Sequence, residues 1–178
     1  MIIMINGAFG VGKTTVSNML ANEIKDSMIF DPEIIGQALR HMLPEKIKQQ
    51  EAATGDFQDF KLWKELTVKS AKSIIDTYQI NLIVPMMLRK QEYYTYLFNG
   101  FKEIDDQTFH FCLTAKQETI FQRLQKRGEE EGDWCFQQTA KCLQAYDEFD
   151  FSEYIDTDDR SIDFIVDTIM GRIQRLVS

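Results

Sequence analysis

The sequence contains few cysteines, and their arrangement suits neither a disulfide framework nor a zinc site. Its 178 residues include three, Cys112, Cys135 and Cys142, and no two of them form a C-x-x-C pair. An odd number without such a pair argues against a disulfide scaffold and against a zinc site. Cys112 stands in an apolar run and is predicted to be a buried, small hydrophobic residue.

A basic excess is also missing. Lys and Arg together number 20 against 28 Asp and Glu, which gives a net charge of −8. Proteins that bind nucleic acids in a general way usually carry a basic excess. We therefore expect no nucleic-acid partner, and we expect the cations that are present to be concentrated at a phosphate site.

Long apolar runs are absent as well. The first apolar stretch, residues 1–5, has no basic segment before it and leads directly into a glycine-rich segment. This pattern predicts neither a signal peptide nor a transmembrane segment, so a cytoplasmic protein is the default expectation. A content of 44% hydrophobic and 27% charged residues is typical of a soluble protein, and the length favours one domain over residues 1–178.

The most informative segment that is present is a phosphate-binding loop. Residues 7–14, with the sequence GAFGVGKT, match the pattern G-x-x-x-x-G-K-[ST]. An apolar run of the kind found in buried parallel strands precedes the loop. After it, Val16, Met19, Leu20 and Ile24 recur at helical spacing. Strand, loop and helix follow in the order that a nucleotide-binding site requires.

The residue types of this loop explain its chemistry. Glycines allow successive backbone N–H groups to point into one hollow, and the helix N-terminus adds a partial positive charge. Lys13 can reach the β- and γ-phosphates of ATP, and the Thr14 hydroxyl can hold Mg²⁺. The predicted nucleotide contacts in this segment are Gly7, Ala8, Phe9, Gly10, Val11, Gly12, Lys13, Thr14 and Thr15.

Strands and helices alternate along the rest of the chain. Further strands are predicted over residues 28–31, 80–85, 108–113 and 153–156, and helices over 33–43, 57–78, 91–101, 116–127, 134–149 and a terminal segment capped by Ser161. Residues 45–56 are expected to be irregular, and residues 128–133 to form a short, flexible lid. This order predicts an α/β fold with a five-stranded parallel sheet and helices on both faces.

Asp31 is the main candidate for acid–base chemistry. Ligands of parallel sheets lie beyond the carboxyl ends of the strands, and Asp31 ends the second strand. Its carboxylate could accept a proton from an attacking hydroxyl or hold Mg²⁺ through water. The alternative is a turn residue that caps the next helix, because Asp before Pro is common turn chemistry.

The third strand ends without an acidic residue, in Pro85, Met86 and Met87. Many P-loop ATPases hold Mg²⁺ with an aspartate at this point. Its absence makes Asp31 the better candidate for the metal, together with Thr14. It also makes a motor or switch ATPase less expected than a kinase.

Two arginines precede the predicted lid. Arg123 and Arg127 are four residues apart and share one face of a helix. Arginines can stabilise the charge of a migrating phosphoryl group, and a mobile lid can bring them to it. The alternative is a solvated basic face, which Lys116 and Lys126 would extend.

Further side chains could bind the acceptor. Arg40 follows Asp31 on the next helix and could reach a phosphate or a carboxylate, although a surface salt bridge explains it equally well. An acceptor pocket could also be lined by Asp56, Trp63 and the cluster of Tyr93, Tyr94 and Tyr96, but aromatic residues at such spacing are more often part of the core. The predicted acceptor contacts are Asp31, Glu33, Arg40 and Trp63. His110 lies within a strand and is interpreted as structural.

These residues resemble the tunicamycin-resistance protein family, a branch of the adenylate-kinase-like P-loop kinases of nucleotides and small molecules. The resemblance rests on segments over almost the whole chain: residues 5–14, 31–33, 56–58, 62–63, 82–86, 116–119, 123–127 and 156–158, with Gly36, Arg40 and Trp134. It implies a nucleoside-monophosphate-kinase fold, with Asp31 facing the acceptor. It also implies that Arg123 lies near the adenine or the phosphates, that Arg127 is directed at the transferred group, and that the loop from Asp156 lies near the base.

The leading hypothesis is an ATP- and Mg²⁺-dependent phosphotransferase that acts on a small molecule bearing a hydroxyl or a phosphate. The resemblance makes a nucleoside-like molecule one candidate for this acceptor. In this hypothesis Lys13, Arg123 and Arg127 stabilise the transferring group. The alternative is an ATP-gated protein that sequesters a drug or ligand without phosphorylating it. A simple ATPase or GTPase switch is a third reading, for which no guanine-specifying motif is apparent. The acceptor and the oligomeric state stay open.

Overall fold

The fold is built on five parallel strands, which the computed structural model arranges in the order β2-β3-β1-β4-β5. The structure describes residues 1–130, 132–151 and 153–177, so that Glu131 of the predicted lid lies outside the described residues. The strands are β1 Ile2–Gly7, β2 Ser27–Ile29, β3 Asn81–Pro85, β4 Thr108–Thr114 and β5 Glu153–Asp156. The predicted α/β fold with a five-stranded parallel sheet is confirmed.

Helices connect the strands and cover the sheet. They are α1 Lys13–Glu23, α2 Pro32–Met42, α3 Glu45–Glu51, α4 Lys61–Tyr78, α5 Gln91–Ile104, α6 Gln117–Lys126, α7 Trp134–Glu148 and α8 Ile162–Val177, with a 3₁₀ turn at Phe57–Asp59. Helix α1 contacts α8, and α4 contacts α5. Right-handed crossovers place α1 and α5 on opposite faces, because α1 leads from β1 towards β2 and α5 leads from β3 towards β4.

Burial explains why the central strands are almost continuously apolar. Every residue of β1 is buried, and β1 lies between β3 and β4 with helices above and below. Cys112 is fully buried in β4, as predicted, and all three thiols are free. Ser161 caps α8, since its Oγ accepts a hydrogen bond of 3.2 Å from the Phe164 N–H. No helix in the described segments is long and apolar enough to cross a membrane.

Two local predictions are wrong. Residues 45–56, expected to be irregular, contain the helix α3. The single helix expected over residues 57–78 is interrupted, because Phe60 is extended and its ring is buried in the core. Asp56 begins the separate 3₁₀ turn by accepting a hydrogen bond of 3.0 Å from the Gln58 N–H. Helical periodicity could not show this break, because it depends on where the Phe60 ring packs.

Candidate active site

The phosphate-binding loop joins β1 to α1 and requires glycine at particular positions. Gly7 has a φ of +149°, and a Cβ there would lie 2.7 Å from the carbonyl oxygen of Leu113. Gly12 has a φ of +109° in the residue that precedes α1. Other residues rarely adopt these conformations. The loop therefore ends with the N-terminus of α1 and its unpaired N–H groups exposed to the adjoining cleft.

Lys13 lies across this loop. Its Nζ donates a hydrogen bond of 2.9 Å to the Ala8 carbonyl and lies 5.6 Å from the centre of the Phe9 ring. Removal of the ammonium from bulk water lowers the pKa of Lys13 from 10.5 to about 8. The group is still mostly charged at neutral pH. It can exchange the carbonyl for a phosphate oxygen.

A cleft of about 490 Å³ opens beside the loop, and we call it the acceptor-side cleft. It brings together most of the site residues predicted from the sequence. Those that line it are Phe9, Gly10, Gly12, Lys13, Thr14, Asp31, Glu33, Arg40, Trp63 and Arg127. These residues come from the loop, from α2, from α4 and from the end of α6, so the tertiary fold alone unites them.

Asp31 caps a helix and also lies at the acceptor-side cleft. Its Oδ1 accepts a hydrogen bond of 2.9 Å from the Glu33 N–H and caps α2. The same carboxylate lines the acceptor-side cleft together with Lys13 and Thr14. Capping uses one oxygen, so the other is available to a hydroxyl or to a metal-bound water.

The residues present suit Mg²⁺ bound mainly through phosphate and water. Within the described residues there is no group of three or more His, Cys, Asp or Glu side chains that could form a metal cage. Thr14 and Asp31 supply one hydroxyl and one carboxylate on the same cleft. Mg²⁺ commonly keeps several waters and takes its remaining ligands from one or two carboxylates and from substrate phosphates. The donor set therefore fits this ion.

The far wall of the cleft is held by ion pairs between two turns. Asp56 pairs with Arg89 at 3.2 Å, and Asp59 with Lys90. Gln58 Nε2 donates a hydrogen bond of 2.9 Å to the Met87 carbonyl. The turn before α4 is thus fastened to the segment after β3, and residues of both line the cleft.

Arg40 and Trp63 shape this wall. The Arg40 guanidinium donates a hydrogen bond to the Gly55 carbonyl and lies 5.4 Å from the Phe57 ring centre. Trp63 is only 1% exposed, and its Nε1–H donates to the Pro32 carbonyl at 3.0 Å. Both side chains line the cleft, but the nearly buried Trp63 offers only a limited surface to any occupant.

Arg123 lies on the other side of the loop. It lines a second cavity of about 280 Å³, with Thr15, Thr157 and Arg160 among its neighbours, and we call this the base-side cavity. Its guanidinium donates to the Thr157 Oγ1 at 3.0 Å, to the Thr157 carbonyl at 2.8 Å and to the Val11 carbonyl at 3.3 Å. Arg123 therefore holds the loop after β5 against the phosphate-binding loop and does not line the acceptor-side cleft.

Asp156 and Arg127 occupy different positions around these cavities. The Asp156 side chain accepts a hydrogen bond of 3.0 Å from the Asp158 N–H at the end of β5, and so shapes the loop beside the base-side cavity. Arg127, at the end of α6, lines both cavities. It is exposed, and it shares this double position only with Gly10 and Gly12 among the described residues.

Among the residues of the acceptor-side cleft that sequence reasoning missed are Arg89, Gln138 and Lys141. Arg89 follows β3, so the rule that ligands lie beyond strand ends could have identified it. Gln138 and Lys141 lie on α7. No local signal distinguishes them from an ordinary polar helix face, because they reach the cleft only through the packing of α7 beside the loop.

Comparison with known proteins agrees with this geometry. A family model described as "AAA domain" matches residues 3–144. The structure of the Deinococcus radiodurans tunicamycin resistance protein is similar at 27% identity and a TM-score of 0.77, covering 97% of this chain and 94% of that one. The resemblance to the tunicamycin-resistance proteins, a branch of the P-loop kinases, is therefore confirmed. A comparison with curated protein sequences gives no match.

More distant structures share the fold alone. A sugar kinase from Janibacter sp. HTCC2649 is 17% identical, with a TM-score of 0.68 and coverage of 96% of this chain and 92% of that one. A shikimate kinase from Acinetobacter baumannii, in complex with shikimate, is 16% identical, with a TM-score of 0.62 and coverage of 98% and 93%.

Proposed function

Because the chain belongs to the AAA domain family and has the fold of P-loop kinases, we propose that it is an ATP- and Mg²⁺-dependent phosphotransferase with a small-molecule acceptor. One observation carries the proposal. The acceptor-side cleft is lined by Lys13 and Thr14 of the phosphate-binding loop together with Asp31 and Arg127. A phosphate-binding loop, a carboxylate and an exposed arginine around one space are what phosphoryl transfer requires.

The nucleotide is proposed to lie across the loop. Its β- and γ-phosphates bind residues 7–15, with Lys13 on the phosphate oxygens, and Mg²⁺ is held by Thr14 with help from Asp31. The base lies on the side of Arg123 and of the loop that Asp156 begins. In this arrangement Arg123 acts by positioning the base side, and Arg127 is the arginine that meets the transferring group.

The acceptor is proposed to enter from the opposite side. Asp31 orients or deprotonates its attacking hydroxyl, and Glu33, Arg40 and Trp63 border the remaining space. The similarity to a protein named for tunicamycin resistance makes nucleoside-like molecules the first acceptors to test.

Acceptor-dependent formation of ADP tests the proposal. The native chain is incubated with Mg-ATP and a panel of nucleosides, nucleotides, sugars and tunicamycin-like compounds, and Asp31→Asn is run beside it. We expect one class of acceptor to raise ADP production and to gain one phosphoryl group by mass spectrometry. A panel with no phosphorylated product would exclude this function for those compounds.

A second candidate is ATP-gated sequestration of a ligand without chemistry. The absence of an acidic residue at the end of β3, where Pro85 and Met86 stand, favours it, because the usual aspartate that orients Mg²⁺ is missing. Nucleotide-dependent binding of a ligand that is recovered unchanged after incubation would support this candidate over the kinase.

A further inference from the structure

A largely exposed tryptophan stands in the wall of the acceptor-side cleft. Trp134, the first residue of α7, is 59% exposed, whereas the other tryptophan of the chain, Trp63, is 1% exposed. The Trp134 ring meets the Phe9 ring at 63°, with the ring centres 5.3 Å apart. One part of the indole therefore packs on the phosphate-binding loop, and much of its surface stays open to an occupant of the cleft.

An amide lies one turn further along the same helix face. Trp134, Gln138 and Lys141 are separated by four and three residues, and all three line the acceptor-side cleft. Gln138 is 8% exposed, and its side chain makes no hydrogen bond to the part of the chain that the structure describes. A glutamine amide offers two donors and an acceptor, so Gln138 presents unused hydrogen-bonding capacity beside the indole.

The position of this wall is fixed relative to the phosphates. The Thr139 hydroxyl donates to the Phe9 carbonyl at 3.4 Å, which attaches α7 to the loop backbone. The Phe9 ring, in turn, lies beside the Lys13 ammonium. The wall is thus held in place before any ligand arrives, and binding costs little reorganisation.

The wall faces the acceptor and not the nucleotide base. The base-side cavity is lined by Arg123, Thr157 and Arg160 on the other side of the loop, and neither Trp134 nor Gln138 lines it. A ring stacked on Trp134 would therefore belong to the second substrate.

We propose that Trp134 and Gln138 determine specificity in the acceptor site, and that they select an acceptor carrying a flat ring with hydrogen-bonding groups on its edge. This inference rests on the proposed function, in which the acceptor occupies this cleft. Stacking on the indole buries the flat face, and the amide pairs with N–H and C=O groups at the ring edge. An open-chain polyol could hydrogen-bond to the amide, but it has no flat face to stack on the indole.

Tryptophan emission gives a direct test. The base-side cavity is first filled with a non-hydrolysable ATP analogue and Mg²⁺, and the native chain is then titrated with uridine, adenosine, gluconate and ribitol. We expect the ring compounds to quench emission and the polyols to have no effect. Trp134→Phe should lose most of the quenching, because Trp63 is buried and hydrogen-bonded to Pro32.

Calorimetric titration of variants completes the test. Trp134→Ala should weaken binding of the quenching compound about tenfold, as expected for the loss of one stacking contact. Gln138→Leu should weaken it and reduce the preference between uridine and adenosine. Tyr78→Ala is the matched control, since Tyr78 is also exposed but lies at the end of α4, away from the lining of the cleft.

The outcomes separate this inference from the proposed function. Quenching without ADP production would support the ring-binding site and contradict the proposed kinase activity. If Trp134→Ala and Gln138→Leu form the phosphorylated product as well as the native chain does, the kinase activity is supported and the ring-binding site is overturned. The absence of quenching by every ring compound, or equal quenching by polyols, also overturns it.

Discussion

Arg123 and Thr157 are joined by two hydrogen bonds, one to the threonine hydroxyl at 3.0 Å and one to its carbonyl at 2.8 Å. The arginine comes from α6 and the threonine from the loop after β5. Their pairing closes one side of the base-side cavity. An arginine predicted to meet a phosphoryl group is thus engaged with the protein itself.

Replacement of Arg123 and of Arg127 by alanine, one at a time, should show that the two arginines have different roles. Arg123→Ala should raise the KM for ATP about tenfold and lower the free energy of unfolding by about 1–2 kcal/mol, because it removes charged hydrogen bonds between two loops. Arg127→Ala should instead lower kcat about a hundredfold or more, with little effect on unfolding, since Arg127 is exposed. Steady-state kinetics and thermal unfolding would show the difference. A larger kcat loss in the Arg123 variant would contradict the assignment.

Asp31→Asn should remove chemistry without loosening α2. Asparagine is as good a helix cap as aspartate, so thermal unfolding should be unchanged, whereas kcat should fall about a hundredfold or more because the proton acceptor is lost. Asp31→Ala should lose both activity and about 1 kcal/mol of stability. Retention of activity in the asparagine variant would remove the acid–base role.

Lys13→Ala should abolish binding of ATP, which calorimetry can measure. The loss is expected because no other side chain lies across the loop at the Ala8 carbonyl in the described structure. Lys102→Ala, on the exposed surface of α5, is the control for a simple loss of charge. Unchanged nucleotide affinity in the Lys13 variant would contradict the whole assignment of the site.

The lowered pKa of Lys13 predicts a pH profile. Its folded-state pKa of about 8 lies below the ordinary 10.5, so the ammonium loses its proton as the pH rises through about 8. The kcat/KM for ATP should therefore fall above this pH, where the neutral amine attracts phosphate less. A profile that stays flat to about pH 10 would show that the charge of Lys13 is not needed.

His110 should make the protein sensitive to acid. It is 3% exposed in β4, its ring packs 4.5 Å from the Tyr94 ring, and burial lowers its pKa from 6.5 to about 3. Below pH 6.5, His110 binds a proton in the unfolded chain but stays neutral in the folded chain. The free energy of unfolding therefore falls as the pH drops, and the fall levels off near pH 3. The loss is on the order of 3 kcal/mol at about pH 4.

His110→Phe keeps the ring contact and removes the titration. Denaturant unfolding of both proteins between about pH 4 and 7 should give a shallower decline for the variant. Parallel declines would show that other groups cause the sensitivity to acid.

Local sequence patterns carried the prediction of the loop, the strands and Asp31. The loop is a contiguous motif, and the end of β2 places Asp31 at the ligand-binding edge by a general rule of parallel sheets. The fixed engagement of Arg123 could not be predicted, because its partner Thr157 lies in another loop. Gln138 likewise reaches the cleft only because α7 packs against Phe9.

The two cavities have largely separate linings, and this has a consequence for the effect of substitutions. Asp56, Arg89 and α7 border the acceptor-side cleft but take no part in the base-side cavity, which Arg123 and Thr157 enclose. In the proposed function, substitutions in the first set would change the preferred acceptor and leave the binding of ATP unchanged. In the proposed function, the phosphate-binding loop therefore separates the part of the site that selects the acceptor from the part that holds the nucleotide base.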